Sequence, residues 1–215
     1  MSKAALWDMD GVLVDTAPFH YQAWHSLLSG LGKEISEEEF RQTFGLRNDD
    51  ILRIRLGDLS DERVADLGQR KEELFRQAIQ GNVKALPGAV ALVRRLREAG
   101  VKTAVVSSAP RRNVETLLGS LGLSDAFESL VSAEDVERGK PDPQGYLAAA
   151  ERLGVAPADC VVIEDAPGGV EAAKRAGMGC IGLASERDPA SLAAADLVVT
   201  SLEDEEVYSF LGIKR

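Results

Sequence analysis

From Thr103 to Val199 the chain alternates short apolar runs with stretches of helical period, and that rhythm leaves few folds open. Thr103 to Ser107, Leu130-Val131, Cys160 to Ile163, Cys180 to Leu183 and Leu197 to Val199 are short, apolar and rich in β-branched residues, which reads as strands. Between them Arg112 to Leu121, Pro143 to Leu153 and Gly168 to Ala176 carry helical patterns, the last two stopped by Gly154 and Gly177. Buried strands alternating with helices imply an α/β fold, a parallel sheet covered on both faces. Ala4 to Trp7 has the same strand character and joins that sheet.

The intervening stretch is of another kind. Pro18 to Gly32 reads as a helix started by Asp15 and Thr16. Ser36-Glu37-Glu38-Glu39 has the form of a capping box, Asn48-Asp49-Asp50 opens a further helix, and Asp61-Glu62 opens a longer one. Gly88 to Ala99 is an amphipathic helix ended by Gly100. No strand signal falls between Ser36 and Gln80, so the expectation is an α-helical insertion, residues 16–83, in a sheet-bearing core made of residues 1–15 and 84–215. The chain crosses between the two near Val14 to Ala17 and near Gly81 to Pro87, which makes a hinge conceivable there.

The first strand breaks abruptly at Asp8-Met9-Asp10-Gly11, after which Val12, Leu13 and Val14 resume the apolar pattern. Residues i and i+2 of an extended chain point to the same side. Asp8 and Asp10 therefore crowd one volume, where two charges about 4 Å apart at an effective dielectric near 20 repel by about 4 kcal/mol. A divalent cation, a lysine or a shared proton would relieve them. An ordinary tight turn also explains Asp and Gly after a strand. A calcium-binding EF-hand loop does not, because Gly11 comes too early and Val12 to Val14 offer no side-chain oxygen.

With 215 residues there is room for one large core, or a core and an insert, and a formal net charge of −10 argues against a nucleic-acid surface. There is no basic-then-apolar leader and no apolar run of membrane-spanning length, so a cytoplasmic protein without a membrane partner is expected. Cys160 and Cys180 lack the spacing of a zinc site and read as buried, reduced thiols.

Open α/β sheets bind ligands beyond the carboxyl ends of their strands. Collected at those ends are Asp8 and Asp10, Ser107 and Ser108, and Glu164 and Asp165. The acids offer oxygen ligands for a hard cation such as Mg²⁺. Ser107 can donate to a phosphate oxygen, and Lys140, kept out of a helix by Pro141, can bring a positive charge to it. Alone, Ser107 could begin a turn, Lys140 be a solvated loop residue, and Glu164 and Asp165 cap the next helix. Their coincidence at one sheet edge is what carries weight.

In that order Asp8-Met9-Asp10-Gly11-Val12, Ser107 after Val105-Val106, Lys140 in Gly139-Lys140-Pro141-Asp142-Pro143, and Glu164-Asp165 in Val162-Ile163-Glu164-Asp165-Ala166 resemble the four motifs of the haloacid dehalogenase superfamily, with β-phosphoglucomutase-like phosphatases and mutases as the nearest group. The resemblance spans nearly the whole chain. It implies a Rossmann-like parallel core with a helical cap, Asp8 as the nucleophile that becomes an aspartyl phosphate, and Asp10 as general acid and then base. Mg²⁺ would be held by Asp8, the carbonyl of Asp10 and Asp165, with Glu164 as a ligand or just behind, while Ser107 and Lys140 bind the phosphoryl group. Thr16 would orient Asp10 or its flap, although helix capping explains it nearly as well. Asp10 also points away from dehalogenation, since a departing halide needs no proton.

Three functional readings follow. The first is a Mg²⁺-dependent phosphatase of small phosphorylated metabolites, sugar phosphates foremost, whose partner is the small-molecule phosphate ester and which is monomeric or a weak homodimer. The second is a hexose-phosphate mutase, suggested by His20, Arg47 in Gly45-Leu46-Arg47, and Lys71, at positions where β-phosphoglucomutases contact substrate from the cap. His20 alone could be an ordinary helix residue. Such mutases carry a second serine and a Lys-Asn pair after the motif serine, where this chain has Ser108-Ala109-Pro110-Arg111-Arg112-Asn113. The third is a Mg²⁺-binding signalling module that accepts phosphate without turnover, resting on Asp8, Asp10 and Asp165 alone.

Overall fold

The structure, a computed structural model, describes residues 2–43, 46–185 and 187–215. It divides into two compact units, residues 1–15 with 83–215 and residues 16–82.

The first unit is built on β1 (Ala4–Trp7), β2 (Lys102–Val106), β3 (Ser129–Val131), β4 (Cys160–Glu164), β5 (Gly179–Leu183) and β6 (Leu197–Val199), all parallel, in the order β3-β2-β1-β4-β5-β6. This is the doubly wound, Rossmann-like arrangement that the alternation predicts. Strands β1 and β4 are buried along their whole length, which is why they read as unbroken apolar runs. One face packs Ala4, Leu6, Ala104, Val106 and Val162 against Tyr146, Ala149, Ala150 and Leu153 of one helix and Val170 and Ala173 of another. Cys160 and Cys180 are buried and free. Sequence order winds from β1 through β2 to β3 in one direction and from β4 to β6 in the other. The reversal falls between β1 and β4, where such folds open a crevice at the strand ends.

The second unit holds α1 (Ala17–Ser29), α2 (Glu37–Thr43), α3 (Asn48–Leu56) and α4 (Asp61–Ile79). The capping box forms as its sequence implies, the Ser36 amide donating to Glu39 Oε2 at 2.8 Å and the Glu39 amide to Ser36 Oγ at 3.2 Å. Ser60 Oγ likewise caps α4 by accepting from the Arg63 amide. Trp24, Leu27, Leu28, Phe40, Ile51, Leu52, Val64 and Leu67 make this unit's own core. Gly45 lies outside the described residues.

Back in the first unit the helices are α5 (Ala89–Glu98), α6 (Arg111–Ser120), α7 (Gln144–Leu153), α8 (Pro167–Arg175) and α9 (Glu205–Leu211). Helix α9 is absent from the sequence expectations. Its seven residues give too few turns for periodicity to show, yet Val207, Tyr208 and Leu211 are buried and Gly212 closes it in the left-handed conformation. Among the described residues no helix is long and apolar enough to cross a membrane.

Candidate active site

Register fixes the site's floor. Trp7 is level with Val105 of β2 and Ile163 of β4, so Asp8 comes level with Val106 and Glu164 as all three strands end. The Asp8 amide donates to the Ile163 carbonyl at 3.0 Å and the Ser107 amide to that of Val131 at 2.9 Å. The chain then leaves β1 in a tight turn, in which the Met9 carbonyl accepts from the Leu13 and Val14 amides and the Gly11 amide donates to the Val14 carbonyl. Gly11 has φ +81°, and a Cβ on it would stand 2.5 Å from Asp165 Oδ2. Only glycine satisfies both demands. Asp10, half-buried, stands at the start of this turn.

The structure brings together Asp8, Glu164 and Asp165, whose carboxylate oxygens lie within 4.8 Å of one another, and sets Lys140 among them. Lys140 Nζ donates to Asp8 Oδ1, to Glu164 Oε1 and, at 3.3 Å, to the Val106 carbonyl. Glu164 is fully engaged. Its Oε1 also accepts from the Tyr146 hydroxyl at 2.9 Å, and its Oε2 accepts from the amides of Asp165 and Ala166 at 2.9 and 3.0 Å. Its carboxylate folds over Gly169, where a Cβ would fall inside the carboxylate itself. These four bonds commit Glu164 to holding Lys140 and the loop that carries Asp165. Ser107 Oγ accepts from the Ala109 amide at 3.1 Å and keeps its own proton to donate.

Burial pushes the Asp8 carboxyl well above its ordinary value, against the pull of Lys140 and with Glu164, Asp10 and Asp165 adding in the same direction. Burial likewise raises Asp165 to about 6, helped by Glu164 and opposed by Arg187. Lys140 moves the other way from a buried lysine: desolvation works against its charge, but Asp8 and Glu164 outweigh it and raise its pKa well above the usual value. Asp8 and Glu164 thus share one ammonium while Asp165 pairs with Arg187, and the carboxylate oxygens left over, hard donors with one negative charge in excess, fit a divalent cation of the Mg²⁺ type.

Within the helical unit His20 and Lys71 also meet. Lys71 Nζ donates to His20 Nδ1 at 2.8 Å and to Glu72 Oε1 at 2.9 Å, and Asn48 Nδ2 donates to the same Glu72 oxygen at 2.7 Å. The ammonium lies 5.5 Å from the Trp24 ring centroid and 5.4 Å from that of Phe75, on which His20 stacks. An ammonium donating to Nδ1 puts the neutral ring's proton on Nε2. Burial, then Lys71, hold the His20 pKa well below 6.5. Arg47, next to Asn48 in sequence, is the exposed N-cap residue of α3. Thr16 is the buried N-cap residue of α1 but makes no side-chain cap bond, so capping does not account for its hydroxyl.

Sequence reasoning missed Tyr146, Gly169, Glu72, Asn48 and Arg187. One signal was available. Lys71 continues the α4 stripe of Val64, Leu67, Phe75 and Ile79, and His20 that of Ala23, Trp24, Leu27 and Leu28 on α1. A charged or titratable residue at a core position of an apolar stripe marks a built cluster.

Comparison with known proteins agrees with this geometry. Residues 2–177 match the profile of a hydrolase family described as haloacid dehalogenase-like hydrolase. Over 204 residues the chain is 35% identical to validoxylamine A 7'-phosphate phosphatase of Streptomyces hygroscopicus subsp. limoneus, covering 95% of this chain and 96% of that one. Over 201 residues it is 37% identical to hexitol phosphatase A of Escherichia coli, with 94% and 92% covered. A solved β-phosphoglucomutase from Clostridium difficile superposes with a TM-score of 0.86 at 28% identity, covering 99% of this chain and 98% of that one.

Proposed function

This chain belongs to the haloacid dehalogenase-like hydrolases, and on that premise we propose that it is a Mg²⁺-dependent phosphatase of small phosphorylated metabolites, sugar and polyol phosphates foremost, working through an aspartyl phosphate on Asp8. The observation that carries the reading is the cluster of buried Asp8 and Glu164, bonded to one lysine, with half-buried Asp165 at the end of β1 and β4. Relatives named as phosphatases of validoxylamine 7'-phosphate and of hexitols support the substrate class.

Asp8 attacks phosphorus with one carboxylate oxygen as the bond from phosphorus to the leaving oxygen breaks, and Asp10 gives that oxygen its proton. Asp10, now a carboxylate, takes a proton from water. The water oxygen then bonds to phosphorus, the bond to Asp8 breaks, and inorganic phosphate leaves with both aspartates restored. Asp8 and Asp165, with the Asp10 carbonyl, would hold the divalent cation, which when bound offsets the repulsion between a carboxylate nucleophile and an anionic phosphate. Lys140, held by Glu164 and lying over the Tyr146 ring, and the Ser107 hydroxyl would bind the phosphoryl oxygens.

The segment after Ser107 favours hydrolysis of monophosphates over a bisphosphate-using mutase. There the Arg111 amide donates to both oxygens of Glu134, at 3.2 and 2.9 Å, and its guanidinium to Asp135 at 2.7 Å. Arg111, a cation there that could hold a second phosphate, is already matched by acids of this chain. The mutase reading keeps its support in the solved β-phosphoglucomutase fold and the joined His20 and Lys71. A screen of phosphorylated sugars, polyols and organic acids, ranked by kcat/KM with Mg²⁺ present, tests the proposal. Monophosphate esters should be hydrolysed, and β-glucose 1-phosphate should not isomerise even with a bisphosphate primer. Isomerisation would instead establish the mutase. A long-lived phosphoaspartate without turnover would establish the signalling module.

A further inference from the structure

Arg187 follows β5 in a loop and reaches back to the acid cluster, where its Nε donates to Asp165 Oδ2 at 3.1 Å. The two cations of the cluster are held differently. Lys140 is 17% exposed and bonded to two carboxylates, whereas Arg187 is 42% exposed and has only Asp165 among them. Glu164 has all four of its bonds taken, and Asp8 takes Lys140, so Asp165 is the carboxylate on which a metal and an arginine meet. Gly11 leaves the space this carboxylate occupies, since a Cβ there would stand 2.5 Å from Asp165 Oδ2.

From this juxtaposition we propose that Arg187 is a built-in competitor of the divalent cation for Asp165, and that its withdrawal toward solvent accompanies metal binding. The proposal rests on the reading of Asp8 and Asp165 as metal ligands. A guanidinium on a long, half-exposed side chain can leave the carboxylate at little cost, since exposed pairs are weak and their partners are rehydrated. While it stays, it offsets the charge of a buried carboxylate that would otherwise repel Asp8 and Glu164. Metal affinity is set by the difference, and the protein without metal is protected from its own acid excess.

Calorimetric titration of wild type, Arg187→Gln, Arg187→Lys and Asp165→Asn with MgCl₂ alone, at fixed ionic strength and without substrate, tests this. Arg187→Gln should bind Mg²⁺ about three- to tenfold more tightly than wild type, and its melting temperature should be lower without metal but rise further on adding it. Arg187→Lys, which keeps the competing charge, should stay close to wild type, and Asp165→Asn should lose binding. If wild type binds Mg²⁺ and Asp165→Asn does not, while Arg187→Gln binds no more tightly than wild type, the competitor role is overturned and the metal reading stands. If wild type and Arg187→Gln both fail to bind Mg²⁺, both fall.

Discussion

Lys71, buried, and Lys140, largely so, are each hydrogen-bonded to a glutamate, one in each unit, and they differ in what else surrounds them. Around Lys140 the acids outnumber the cation: Asp8 and Glu164 touch it, and Asp165 lies within reach of both. Among the contacts described, Lys71 meets one carboxylate, a neutral imidazole and two aromatic faces. With Arg187 on Asp165 counted, three acids face two cations, so the first cluster keeps one unmatched carboxylate charge. The second is balanced by its own residues. Excess charge marks where chemistry is done, and balanced burial marks a fixed part of a surface or core.

If that contrast holds, removing charge from the core cluster should destroy activity while relieving strain. Asp8→Asn is expected to lower phosphatase turnover by about 10³-fold or more, and in the metal-free protein to raise unfolding free energy by about 1–2 kcal/mol as like charges are thinned. Turnover of p-nitrophenyl phosphate and urea denaturation in chelator measure the two. A variant that keeps substantial metal-dependent hydrolysis would end the proposal that Asp8 is the nucleophile. Gly169→Ala probes the same cluster sterically. The new methyl group must expel the Glu164 carboxylate from its four donors, a loss of about 3–5 kcal/mol in a chemical melt.

The sequence shows the core cluster better than the balanced one, and the reason is physical. Aspartate and glutamate interrupting an apolar strand contradict the burial that surrounds them, so Asp8, Glu164 and Asp165 stand out at once. The sheet and most helices are legible for a related reason, since burial imposes period 2 or 3.6 on the residues. Lys71 sits in the α4 stripe, but Glu72 beside it on a helix rich in charge reads as a solvated face, and the packing of α1 on α4 shows that it too is buried. Tyr146 falls on the apolar stripe of α7 with Ala149, Ala150 and Leu153 and reads there as plain core, and Arg187 leaves no trace in periodicity. Each acts through a contact fixed by how distant segments pass one another, Tyr146 under β4 and Arg187 between two acids in sequence, Glu186 and Asp188, that suggest an ordinary polar loop.

Paired lysine substitutions sharpen the contrast further. Lys140→Met leaves Asp8 and Glu164 facing each other and should cost about 3–5 kcal/mol in the metal-free protein. Adding Glu164→Gln should not restore it, because Asp8 and Asp165 remain. Lys71→Met should cost about 1–3 kcal/mol, since Glu72 keeps its bond from Asn48 and the rings of Trp24 and Phe75 accept a thioether. The double variant Lys71→Met/Glu72→Gln should return to within about 1 kcal/mol of wild type. Equal failure of rescue in both units would show that the helical cluster is not balanced.

The smallest effect is the one most specific to the helical cluster. His20 is held neutral by burial and by Lys71, with a folded pKa well below 6.5. The unfolded chain takes up a proton at this histidine below about pH 6.5 while the folded one does not, so stability due to this site is full above that pH and falls as the pH drops toward the folded value. The slope approaches about 1.4 kcal/mol per pH unit for one proton. His20→Gln keeps an acceptor for Lys71 without titrating. Urea melts from pH 7.5 to 5 should therefore run parallel for the two proteins down to about pH 6.5 and then diverge, wild type losing about 2 kcal/mol more by pH 5. Core carboxylates that titrate in the same range are common to both proteins and cancel in the difference. Curves that stay parallel throughout would mean that His20 accepts a proton in the folded state beside Lys71, and the cluster would then carry an excess positive charge, as the core carries a negative one.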